Sequence, residues 1–166
     1  MPETPVSETP LCYQAFIALG ANLGDASATL QQVLQELAGL PLTRLMQASS
    51  LYRTAPVQAV GPDFINGVAE LSTTLTPHDL LTALQALEQQ HGRQRPYRNA
   101  PRTLDLDIVC MFDEHGQVRV NDATLTLPHP RMHERAFVLL PLSEIAPQVV
   151  SPAQLAAVAD QAITRL

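Results

Sequence analysis

The stretch "APRTLDLDIVCM", residues 100–111, decides how the rest of the chain is assembled. From Leu104 onward it is apolar enough for a buried β-strand, and a strand alternates its side chains between two faces. Leu104, Leu106 and Ile108 then share one face, suited to packing on helices, while Thr103, Asp105 and Asp107 share the other. Two parallel carboxylates repel each other and lose hydration near a core, so they require compensation.

The segments before this strand supply its partners. "CYQAFIALGAN", residues 12–22, has strand length and ends in a glycine turn. "DASATLQQVLQELAGLP", residues 25–41, puts Leu30, Val33, Leu34, Leu37 and Ala38 on one helical face, with Asp25 or Ser27 as a start and Gly39 to Pro41 as a stop. Two further strands are expected in "TRLMQASSLYRT" (43–54) and "FINGVAELSTTL" (64–75), joined by a loop rich in proline and glycine. "TPHDLLTALQALEQQHG", residues 76–92, reads as a helix: Thr76 caps, Pro77 suits the first position, and Leu80, Leu81, Leu84 and Leu87 form the inner face. The order is β-α-β-β-α-β, an α+β, ferredoxin-like arrangement in which helices cover one face of an antiparallel sheet.

Beyond residue 111 the patterns weaken. A hairpin turning at "DEHG" leads to "VRVN", and a proline-punctuated stretch with a short helix follows over residues 124–147. "SPAQLAAVADQAITRL", residues 151–166, predicts a closing helix with Leu155, Val158, Ala159 and Ala162 inside. Residues 1–10, with three prolines, are expected to be a disordered tail before a single domain over 11–166. Cys12 and Cys110 lack any zinc or CxxC spacing and read as buried thiols.

Charge narrows the function. A net charge of −6 argues against a nucleic-acid binder that works by neutralising phosphates. No apolar run approaches the roughly 18 residues that span a bilayer, and the N-terminus has no signal-peptide pattern, so no membrane partner and a cytoplasmic location are expected. All ten basic residues are arginine, which excludes a lysine-containing P-loop and a lysine nucleophile. Four of the arginines, Arg93, Arg95, Arg98 and Arg102, fall within "RQRPYRNAPR" directly before the aspartate strand. Paired carboxylates bind one or two magnesium ions that keep waters and substrate phosphates, and arginine supplies bidentate donors to phosphate oxygens. Phosphoryl transfer accounts for both features. A solvated face on which the acids and arginines pair, in a non-catalytic interaction domain, is the alternative, and a transferase acting on some other acceptor is a second.

The motifs "IALGANLGD", "SSLYRTAPV", "PDFINGVAEL", "LEQQHGR", "APRTLDLDI" and "LTLPHPRMHERAFVLLPLSEIAP" occur in an order that resembles the 6-hydroxymethyl-7,8-dihydropterin pyrophosphokinases of folate biosynthesis, over roughly residues 13–150. The resemblance implies transfer of pyrophosphate from MgATP to the pterin hydroxymethyl group, giving AMP and the pterin diphosphate. It implies Asp105 and Asp107 as ligands of two Mg²⁺ ions, with Asp107 also catalytic beside the loop arginines Arg93 and Arg102. Gln85, Glu88, Arg95, Ile108, Thr126, His129 and Arg135 then fall where ATP binds. Thr54, Ala55 and Val57, through their backbone, with Phe64, Asn66 and Phe137, fall where the reduced pterin binds. The implied partners are these two small molecules, with the protein a monomer. The sequence departs from the usual family pattern at Asn99, where many members carry tryptophan, and in an arginine loop one residue shorter.

Overall fold

A computed structural model describes residues 11–55, 62–92 and 104–166. The expected tail, the arginine loop with Arg93, Arg95, Arg98, Asn99, Arg102 and Thr103, and Val57 lie outside the described residues. Nine strands and four α-helices follow one another in these segments: β1 (Tyr13–Ala21), α1 (Ala26–Ala38), β2 (Thr43–Ala48), β3 (Tyr52–Thr54), β4 (Phe64–Thr73), α2 (Pro77–Gln90) and β5 (Asp105–Asp113) come first. After them come β6 (Gly116–Gln117), β7 (Val120–Asn121), β8 (Thr126–Leu127), α3 (Ala136–Ile145), α4 (Pro152–Ala157) and β9 (Ile163–Arg165).

The main sheet runs β6-β5-β1-β4-β3-β9, with β2 also paired to β4. β1 is antiparallel to both β4 and β5, which gives the ferredoxin-like α+β order expected from the sequence. Local chemistry sets the helix ends as anticipated. Asp25 accepts from the backbone N–H of Ala28, and Thr76 Oγ1 accepts from that of Asp79, each satisfying a donor with no partner inside its helix. Leu30, Val33 and Leu37 of α1 and Leu80, Leu84 and Leu87 of α2 bury against Ile17, Leu19, Leu71, Leu104, Leu106 and Ile108. No helix among the described residues is long and apolar enough to cross a membrane.

A second core lies on the opposite face of the sheet. Phe16, Val68, Val109 and Cys110 pack there with Val138, Leu139 and Leu142 of α3 and Val158 after α4. A β-bulge makes this possible: the register opposite β1 shifts between Phe16 and Ile17, leaving Val109 as the extra residue of β5. Val109 and Cys110 therefore both reach the second core, while Met111 returns to the first.

Four local expectations are corrected. The strand expected over 43–54 is split, because Met46 is bulged and Ser49 turns its side chain inward: Ser49 Oγ accepts from the Val68 amide at 2.9 Å. Gly67 allows this crossing, since a Cβ there would lie 3.1 Å from Leu51 Cδ2. The closing helix stops at Ala157, and Ile163–Arg165 instead extends the sheet as β9, antiparallel to β3. Gln161 drives the change by bonding the 134–136 backbone, accepting from Ala136 N at 2.8 Å and donating to Glu134 O at 2.7 Å, so that the chain reaches the free edge of β3. The hairpin from β6 continues as far as Val118, whose amide donates to the Met111 carbonyl at 2.8 Å, but the rest of "VRVN" leaves it, because Val120 and Asn121 pair with β8. Cys110 is buried as expected, but Cys12 is exposed at the start of β1, with Sγ 3.3 Å from Ser72 Oγ.

Candidate active site

Because α3 covers only part of the second face, the other end of that face carries polar side chains. Asp105 and Asp107 are half-buried there, on the opposite side of β5 from buried Leu104, Leu106 and Ile108. Strand register extends the site sideways. Gly20 of β1 lies opposite Asp105 on one side and Asn66 of β4 on the other, and Asn66 in turn lies opposite Tyr52 of β3. Directly opposed residues in antiparallel strands point to one face, so Asp105, Gly20, Asn66 and Tyr52 form a row.

Asn66 is 5% exposed and its Nδ2 donates to Thr54 Oγ1 at 2.9 Å, which fixes its amide in the floor of this row. Phe64, two residues earlier in β4, shares that face and is half-buried. Buried Asn22, just past β1, donates from Nδ2 to the Pro62 carbonyl at 3.2 Å and fastens the end of β1 to the segment entering β4.

Positive groups meet the aspartates from the segment after β8. His129 N donates to the Val109 carbonyl at 2.7 Å, which lays this segment along β5. The Arg131 amide donates to His129 Nδ1 at 3.1 Å, which leaves Nε2 to carry the ring proton. Burial pushes the His129 imidazole below its ordinary value, and the charges of Arg135 and Arg131 act the same way, against an opposing pull from Asp105. Arg135 stands at the start of α3, its guanidinium 5.4 Å above the ring of Phe137. Burial and Arg131 lower its pKa, while Asp107 and Asp105 raise it, so the arginine charge sits within the field of both carboxylates.

The structure thus brings Asp105, Asp107, His129, Arg135 and Phe137 to one end of the second face, with Thr54, Phe64 and Asn66 on the strands beside them. The remaining residues expected at the site lie elsewhere around β5 and β3. Gln85 is exposed on α2, Thr126 is half-buried on β8, and Ala55 is exposed after β3. Ile108 buries its side chain in the helix-side core, and Glu88 is 3% exposed, with Oε2 accepting from the Leu106 amide at 2.9 Å. Glu88 thereby ties α2 to the outer edge of β5. Two buried residues of the row and its end, Gly20 and Asn22, escaped the sequence reading; "GAN" closing an apolar strand was the only signal for them.

The chain matches the family model described as 7,8-dihydro-6-hydroxymethylpterin-pyrophosphokinase (HPPK) over residues 16–147. It is 43% identical to the 2-amino-4-hydroxy-6-hydroxymethyldihydropteridine pyrophosphokinase of Pseudomonas aeruginosa, over 86% of this chain and 86% of that one. It is 40% identical to the Synechocystis sp. protein of the same name, over 91% of this chain and 75% of that one. Among solved structures, a Plasmodium falciparum HPPK-DHPS chain crystallised with pterin and p-hydroxybenzoate superposes with a TM-score of 0.63 at 15% identity, covering 85% of this chain and 41% of that one. That likeness concerns the fold, and this chain spans about two fifths of the HPPK-DHPS chain. With an ordered motif set, a ferredoxin-like sheet and relatives aligned over most of its length, the chain belongs to the 7,8-dihydro-6-hydroxymethylpterin pyrophosphokinase family, ATP-dependent enzymes of folate biosynthesis that transfer pyrophosphate to the pterin hydroxymethyl group.

Proposed function

We propose that the chain carries out this pyrophosphoryl transfer at the open end of the second sheet face, with Asp105 and Asp107 as the ligands of two Mg²⁺ ions. The observation that carries the reading is the half-buried aspartate pair on one face of β5, with Arg135 and His129 folded over it. The donor set fits magnesium, which takes oxygen ligands and usually keeps waters and substrate phosphates, so that two carboxylates suffice. Among the described residues no group of three or more His, Cys, Asp or Glu forms a closed cage for a metal. Bound magnesium supplies charge neutralisation around the phosphate oxygens.

The residues of the chain do the remainder. Arg135 and Arg95 hold ATP phosphates, and Arg93 and Arg102 stabilise the charge that develops on the transferring group. Leu106 turns its amide outward to Glu88, and in a strand Ile108 turns its own amide the same way. The backbone of Ile108 is then the group offered to the nucleotide base, between Gln85 and Glu88 on one side and Thr126 and His129 on the other. On the pterin side, Phe64 and Phe137 offer aromatic faces, Asn66 meets the amide-like edge, and backbone groups of Thr54, Ala55 and Val57 complete the pocket. The hydroxymethyl oxygen attacks the β-phosphorus in line, the bond from that phosphorus to the α-phosphate oxygen breaks, and AMP leaves. The hydroxyl proton passes to Asp107. Substrate positioning and electrostatics dominate, because such transfers ask for little covalent work from side chains.

In this reading the enzyme is a cytoplasmic monomer, since both substrates are soluble and every group invoked belongs to one chain. The test is chromatography of the nucleotides after incubation with MgATP, with and without the reduced hydroxymethylpterin. AMP should form only with the pterin, one for each pterin diphosphate. AMP without pterin, or ADP in its place, overturns the reading.

A further inference from the structure

Gly20 sits in the middle of the row that joins the two halves of the site. Its partners in register are Asp105 on one side and Asn66 on the other, which at ordinary strand spacing stand roughly 10 Å apart. A Cβ built on Gly20 would lie 3.0 Å from Asn66 Oδ1, with the Ile65 carbonyl next at 3.9 Å. That is tighter than nearly all carbon–oxygen contacts in folded proteins, so the Asn66 amide would have to give by a few tenths of an ångström. Asn66 has little freedom to move, being 5% exposed and bonded through Nδ2 to Thr54 Oγ1. Backbone conformation is not the reason for glycine here, because among the described residues the positive-φ glycines are Gly24, Gly92 and Gly116. Space is the reason.

We propose that Gly20 is a positioning residue for the pterin. By carrying no side chain, it lets the Asn66 amide lie across it in the orientation set by Thr54. This inference rests on the reading in which Asn66 meets the pterin edge. Any side chain at position 20 turns the amide away from its Thr54 bond, and the loss falls on pterin recognition and not on the nucleotide, which approaches from the outer edge of β5.

Gly20→Ala, Asn66→Ala and the double variant test this, with the KM for the pterin and the Kd of a non-hydrolysable ATP analogue with magnesium both measured. Gly20→Ala should raise the pterin KM about tenfold, the scale of one misplaced buried hydrogen bond, and leave the analogue's Kd within about twofold. In the Asn66→Ala background the same substitution should add less than about twofold, since residues acting through one group are non-additive. An unchanged pterin KM in Gly20→Ala, equal losses for both ligands, or full additivity in the double variant would overturn the inference. If Asn66→Ala leaves the pterin KM unchanged, the assignment of Asn66 fails together with the inference. If Asn66→Ala weakens the pterin while Gly20→Ala does not, the inference alone fails.

Discussion

Asp105 and Asp107 are tolerated on an otherwise apolar strand because the protein brings compensating charge to them from a distant part of the sequence. Arg135 follows them by about thirty residues, yet the bond from His129 N to the Val109 carbonyl lays its segment against β5 and sets the guanidinium in their field. Arg135→Gln keeps a side chain of similar reach without the charge. It should weaken the MgATP complex about tenfold, the scale of one charge-assisted bond, with little change in pterin affinity, as titration calorimetry with an ATP analogue can check. At this scale the sequence exposed the aspartates, because an in-face DxD pattern breaks apolar alternation. It did not expose Gly20, whose part depends on how close the Asn66 amide comes across the sheet.

Among the elements, α3 matters most to the site, since Arg135 and Phe137 lie at its start. Its other end is tied down by Glu144, which accepts from Tyr52 Oη at 2.7 Å, Ser50 N at 2.8 Å and Ser50 Oγ at 3.1 Å. Burial raises the Glu144 pKa, but the bonds from Tyr52 and Ser50 outweigh it and hold the carboxyl below its ordinary 4.5. Burial and the same carboxylate push the Tyr52 phenol up to about 12, so it remains a donor throughout the working range. A carboxyl whose folded pKa is depressed stabilises the fold above its unfolded value and loses that contribution as pH falls through the folded one. Glu144→Gln should therefore cost about 1–2 kcal/mol at pH 7. Urea melts should show that gap closing as the pH falls below the ordinary carboxylate value; a gap unchanged in acid would assign the tie to packing. Helices and their caps were legible because a 3.6-residue period and capping residues are local signals. The bulge at Val109 and the strand at Ile163–Arg165 were not, since each depends on a partner strand far away in sequence.

At the scale of the whole molecule, one sheet is used on both faces. The helix-side core built from α1 and α2 was predictable from βαββαβ patterning, and it explains why Leu104, Leu106 and Ile108 alternate with polar residues. The second core depends on a segment dense in proline, where periodicity gives little guidance, and only its partial coverage of the sheet leaves an open end for chemistry. The same geometry accounts for Glu88. An acid on an amphipathic helix reads as a ligand-facing group, whereas here its buried carboxylate also holds the Leu106 amide.

The central claim is that the aspartate pair is the reaction's metal site, and turnover of Asp105→Ala and Asp107→Ala in the pterin-dependent AMP assay tests it most directly. Both variants should keep the wild-type circular dichroism spectrum and melting cooperativity, because neither side chain belongs to either core, while pterin-dependent AMP formation falls by about three orders of magnitude or more. Near-normal turnover in either folded variant would contradict the account.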